Sequence, residues 1–71
     1  MSTDIRVKFG DQVRRLRKAR GITQLELAEL LGVGRGYLSQ IERGKRDPGL
    51  RLVKSIADGL RISLPELLQN L

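Results

Sequence analysis

Apolar residues recur along this chain at helical spacing, and no segment alternates apolar and polar positions as a strand would. Phe9, Val13 and Leu16 fall at i, i+4 and i+7, one stripe of a helix running from about Ile5 to Ala19. Gly21 then takes the position just past a helix end, where a left-handed residue is favoured. Thr23-Gln24-Leu25-Glu26 is a capping box, in which the threonine hydroxyl and the glutamate carboxylate each satisfy a backbone amide of the other. It opens a second helix that ends near Leu31, before Gly32. A third runs from about Arg35 to Arg43 and is closed by Gly44. Lys45 to Gly49 form a loop. A fourth helix spans Leu50 to about Leu60, its core side expected at Leu50, Val53, Ile56, Ala57 and Leu60. Ser63-Leu64-Pro65-Glu66 is a second capping box, with Pro tolerated in the first turn, and starts a fifth helix from Leu64 to about Asn70. The pattern predicts an all-α fold, a compact bundle of five helices in a single domain over residues 1–71.

The segment 24–43 carries the most information. Its two short helices are joined by a tight turn at Gly32, so they must cross steeply. Leu27, Ala28, Leu31, Val33, Leu38 and Ile41 point inward, and the small Ala28 lets the two helices approach. Gln24, Arg35, Ser39, Gln40 and Arg43 are left outside. This is the construction of a helix-turn-helix, whose second helix lies in the major groove of DNA. Gly34 is the N-cap of that helix, a weaker choice than Ser or Thr, and Gly36 lies in its first turn, where it is a weaker helix former than Ala.

Charge adds to this picture. The chain has 14 basic and 8 acidic residues, a net +6. Arg14, Arg15, Arg17, Lys18 and Arg20 crowd the end of the first helix. Arg35, Arg43, Lys45 and Arg46 sit on and after the third. Clustered arginine on a small domain favours a polyanionic partner. Cys and His are both absent, which leaves no thiolate or imidazole metal ligand and suits a reducing cytosol. With no evident carboxylate pair either, no enzyme and no cofactor are expected. The apolar runs are too short to span a membrane, and the start, Met1-Ser2-Thr3-Asp4, lacks the basic-then-apolar pattern of a signal peptide, so a cytoplasmic protein is expected. Gly32-Val33-Gly34-Arg35-Gly36 superficially resembles a phosphate-binding glycine loop, but no strand precedes it and no Lys-Ser/Thr follows.

Leu16-Arg17, Gly21, Thr23-Gln24, Leu27-Ala28, Gly32-Val33, Tyr37-Leu38-Ser39 and Ile41-Glu42-Arg43-Gly44 fall in one register with Pro48, Leu50, Ile56-Ala57 and Leu60. In these residues the chain resembles the Xre-type, lambda-repressor-like helix-turn-helix proteins, over about residues 9 to 68. That family includes phage repressors, Cro proteins, restriction–modification controllers and antitoxin subunits. The resemblance implies base-reading positions at Arg35, Gly36, Ser39 and Gln40, a phosphate grip by Gln24, and an ion pair between Arg17 and Glu42. The chain departs from the family pattern at Gly34, where Ser or Thr is usual, and at Gly36, where a side chain is usual.

Each candidate has a plainer alternative. Arg35 can fork onto guanine O6 and N7, or bind a phosphate. Gln40 suits adenine N6 and N7, or a water-mediated contact. Ser39 can bond many groups. Tyr37 can reach a phosphate with its hydroxyl or act as half-buried packing. Arg43, Lys45 and Arg46 follow the reading helix and are expected on the phosphate backbone, which positions the protein without reading sequence. Arg17 and Glu42 are assigned to structure. Leu64, Leu67, Leu68 and Leu71 exceed what one core face needs and are read as a dimer interface, although they can also simply close the core. The expected partner is therefore double-stranded DNA, bound by a homodimer on a palindromic operator as a transcriptional regulator of repressor or controller type. The alternative is a protein-interaction module, such as an antitoxin subunit or bridging factor.

Overall fold

Asp4 starts the first helix by accepting the Arg6 amide at 2.9 Å, and the Arg6 guanidinium returns to the Asp4 carboxylate at 2.7 Å. This is where a computed structural model begins to describe the chain, which it does over residues 4–71. Met1, Ser2 and Thr3 of the stretch read for a targeting signal lie outside the described residues. The helices are α1 (Ile5–Ala19), α2 (Gln24–Leu31), α3 (Arg35–Glu42), α4 (Leu50–Leu60) and α5 (Leu64–Leu67). Among the described residues there is no strand, and no helix is long and apolar enough to cross a membrane.

The caps form as their residue types dictate. Glu26 N–H donates to Thr23 Oγ1 at 3.0 Å, and Thr23 N–H donates to Glu26 Oε1 at 2.8 Å. Ser63 and Glu66 repeat the arrangement at α5. Gly32 takes φ +70°, so the chain reverses after α2 and the Val33 amide reaches back to the Ala28 carbonyl. Bonds to Arg6, the side-chain one foremost, hold the Asp4 carboxyl at about 2. The Thr23 backbone amide, followed by its hydroxyl, lowers that of Glu26. Both folded values lie below the ordinary ones, so these contributions are present at neutral pH and are lost as pH falls through the folded values.

The core is Phe9 and Val13 of α1, Leu27 and Ala28 of α2, Leu38 and Ile41 of α3, Ile56, Ala57 and Leu60 of α4, and Leu67 of α5. Leu31, Val33 and Val53, expected inside, pack at its margin as partly buried residues. Leu50 corrects the reading of α4: it is 88% exposed. It occupies the first position of the helix, where the chain arrives from the loop, and the packed length of α4 begins only after it. The fifth helix is also shorter than its leucines imply. It ends at Leu67, and the chain turns through residues 68–70, with Asn70 at φ +65°. At α3 the difference is one residue, Arg43 being the C-cap rather than the last helical position.

Helix periodicity does not reveal why α1 lies so close to the end of α3. Gly10 is buried, and a Cβ there would sit 2.5 Å from the carbonyl oxygens of both Ile41 and Glu42. The two backbones meet directly. Gly44, at φ +73°, makes a similar approach to the Val7 backbone. Gly10→Ala should therefore destabilise the protein by about 1–3 kcal/mol, although alanine is the better helix former. The melting temperature should fall by roughly 4–8 °C for each kcal/mol lost. An unchanged transition would contradict this backbone contact.

Candidate nucleic-acid interface

α3 is fixed from within. Leu38 and Ile41 are buried against the core, which turns the opposite side of the helix outward. On that side Arg35, Gly36 and Arg43 are exposed, and Ser39 and Gln40 are half-exposed. A Cβ on Gly36 would meet nothing within 4 Å, so the glycine leaves a notch on an open surface rather than relieving a clash. Gly34 caps α3 with no side-chain bond. The start of α3 thus depends on packing by Leu38 and on the turn before it.

The end of α3 is held by charge. Arg17 Nε donates to Glu42 Oε2 at 2.8 Å and Arg17 Nη2 to Oε1 at 3.1 Å, a two-pronged bond between α1 and α3. Arg17 is 8% and Glu42 5% exposed. The remaining Arg17 Nη1 donates to the Ile22 carbonyl at 3.0 Å. Gln24 Nε2 adds a third donor to Glu42 Oε1 at 3.1 Å. Among the described residues no buried side-chain polar atom lacks a partner. The network joins α1, α2 and α3 at one point and fixes the angle at which α3 stands out.

Gln24, expected to grip a phosphate, also has a partner within the protein. It is half-buried, and its amide bridges α2 to α3, leaving one N–H to reach outward. It lines a shallow recess with Asp11, Arg14, Ser39, Glu42 and Arg43, beside the outer face of α3. Arg43, Lys45 and Arg46 are all exposed along the exit from α3. Tyr37 is half-buried against the core, and the Arg46 guanidinium lies over its ring at 5.4 Å. Arg46 Nε also donates to Gln40 Oε1 at 2.6 Å. Sequence reasoning missed this link, because Arg46 lies beyond the helix and loop conformation carries no periodic signal.

The leucines at the C-terminal end divide. Leu67 does not belong to a dimer surface: it is fully buried and closes the core. The capping box at Ser63 orients the single turn of α5 so that this side chain points inward. Leu64 and Leu68 are exposed and Leu71 is half-buried. Leu68 and Leu71 line a groove with Ile5, Phe9, Pro48 and Val53. Among the described residues no group of His, Cys, Asp and Glu side chains is placed to hold a metal ion.

Comparison with known proteins agrees with this architecture. The Helix-turn-helix family profile matches residues 13–67. The chain is 36% identical over 69 residues to the control protein C.MunI of a Mycoplasma species, covering 96% of this chain and 93% of that protein. Among solved structures it is similar to the restriction–modification controller protein C.AhdI of Aeromonas hydrophila, at 42% identity and a TM-score of 0.84, covering 87% of this chain and 94% of that one. It is similar also to the clp gene regulator ClgR of C. glutamicum, at 34% identity and a TM-score of 0.92, covering 96% and 87%. With a profile match across most of its length and relatives of nearly its own size, the chain belongs to the Xre-type helix-turn-helix family of DNA-binding transcriptional regulators.

Proposed function

We propose that the protein binds double-stranded DNA sequence-specifically as a homodimer, with α3 in the major groove of each half of a palindromic operator. The observation that carries the reading is the outer face of α3. Arg35, Gly36, Ser39, Gln40 and Arg43 share it, while Leu38 and Ile41 anchor the opposite side. Donors and acceptors suited to base edges are thus carried on one face of a helix anchored to the core. Arg43, Lys45 and Arg46 supply phosphate contacts beside it, and Tyr37 and Gln24 each have one polar hydrogen to add. Regulation then follows from occupancy of the site. The likeness to two proteins named as controllers supports a regulator of that kind.

Arg35 and Arg43 should fail differently. Arg35 opens the helix that enters the groove, and Arg43 caps its end near the backbone. Arg35→Ala should weaken operator binding by about 1–3 kcal/mol and leave binding to scrambled duplex almost unchanged. Arg43→Ala should weaken both alike and lower the salt slope by about one. Titrations on the two duplexes at two salt concentrations check this. Equal loss on both duplexes for Arg35→Ala would make Arg35 a phosphate contact.

The dimer reading draws on exposed leucine. Leu64, Leu68 and Leu50 are exposed, the last on the α4 face that also carries Val53. For a C2 pair to read two half-sites one turn of DNA apart, its two copies of α3 must lie roughly 34 Å from each other. Sedimentation at micromolar concentration should find a dimer, and Leu50→Asp with Leu68→Asp should give a folded monomer. A wild-type monomer that stays monomeric on DNA overturns the palindrome. A second reading, docking onto another protein, draws on Leu25 and Leu30 of α2, which are 52% and 64% exposed. A stoichiometric protein partner bound without DNA would support it.

A further inference from the structure

Residue type alone suits Gln40 to adenine, but its neighbour sets the direction in which its amide points. A guanidinium has donors and no acceptor, so the group facing Arg46 Nε at 2.6 Å must be the Gln40 carbonyl oxygen. Arg46 is itself held from a second side, over the ring of Tyr37 at 5.4 Å, and Tyr37 is packed against the core. The Gln40 amide is thereby orientated, with its oxygen toward a cation and its NH2 group free. The terminal nitrogens of Arg46 add further donors beside it.

This orientation disfavours adenine: the Gln40 oxygen keeps a second lone pair, but an amino group must approach it beside the Arg46 cation. The pairing of glutamine with adenine needs the amide nitrogen to donate to N7 and the amide oxygen to accept from the N6 amino group. Here the oxygen is engaged by a positive charge, which also repels the amino group's hydrogens. Guanine presents two acceptors in the major groove, N7 and O6, and no donor. An edge made only of donors is its complement.

We propose that Arg46 is a positioning residue for specificity, which turns Gln40 from an adenine reader into a guanine reader. The inference rests on the proposed placement of α3 in the major groove and goes beyond it by fixing the base and the residue that selects it. A phosphate contact by Arg46, with no hold on Gln40, predicts an equal loss of affinity on every sequence.

The test is selection from a randomised duplex library with the full chain, followed by sequencing. Gln40→Ala locates the base pair, as the one position at which preference is lost. At that position the wild type should favour guanine over adenine by roughly tenfold, the ratio a good two-bonded contact supplies. Arg46→Met keeps the side-chain stem and removes the donors, and should move the preference to adenine at that position alone. Lys45→Met removes one neighbouring charge and should lower affinity with the base preference intact. An Arg46→Met protein that binds more weakly but selects the same bases overturns the inference alone, as does a wild type that selects adenine or a Gln40→Ala variant with no altered position. A wild type that enriches no sequence at all overturns the DNA-reading proposal and this inference together.

Discussion

Arg17→Met is expected to cost about 3–5 kcal/mol, because it leaves the Glu42 carboxylate buried with its ion-pair partner gone. Glu42 is 5% exposed and receives two bonds from Arg17 and one from Gln24. Gln24 alone cannot neutralise it. A domain of this size holds about 5–10 kcal/mol in total, so the variant should lose roughly a third or more of its stability. The double variant Arg17→Met with Glu42→Leu should recover much of the loss, since replacing both members of a buried pair by apolar groups is often close to neutral. Denaturant titration of the four proteins in this cycle measures the coupling. Additive losses would mean that the pair contributes nothing as a pair. DNA binding should suffer beyond the stability loss even in the recovered double variant, because the pair fixes the end of α3 against α1.

Salt should have the largest effect on function. The protein carries a net +6, and Arg35, Arg43, Lys45 and Arg46 are all exposed on or after α3. Each lysine or arginine that meets a phosphate releases counterions, so affinity falls as a power of salt concentration. For six to ten phosphate contacts across a dimer, the loss between 50 and 200 mM salt is about 10³–10⁵. Fluorescence anisotropy with operator duplex over that range gives the slope directly. A flat response would favour docking onto a protein partner.

Helix boundaries were readable because caps and glycines act locally. Thr23 with Glu26, Ser63 with Glu66, and Gly32 at φ +70° each determine one end of one element through bonds to near neighbours. Apolar spacing gave most of the core for a similar reason, since it reports which side of a helix must leave water. It failed at Leu50 and Leu67, in opposite directions. Periodicity says which face a leucine occupies but not whether another element covers that point. Leu50 precedes the covered length of α4, and Leu67 is fully buried in the core. The leucine excess of the fifth helix was thus partly core. Gly10 went unread because nothing in sequence marks where two helix backbones touch. The Arg46–Gln40 bond went unread because it joins a helix to a loop whose path depends on the whole fold. Residue identity gave the candidates for the interface, and the structure adds partners that residue type does not show: Glu42 for Gln24 and Arg46 for Gln40.

Titration of isotopically labelled protein with an operator duplex, followed through the backbone amide resonances, tests the central claim most directly. The account predicts that perturbations concentrate at Arg35, Gly36, Ser39, Gln40 and Arg43, extend through Gln24, Tyr37, Lys45 and Arg46, and leave Leu30 near the end of α2 unmoved. Perturbations centred on α2 or on Leu64 and Leu68, with the outer face of α3 unchanged, would contradict it.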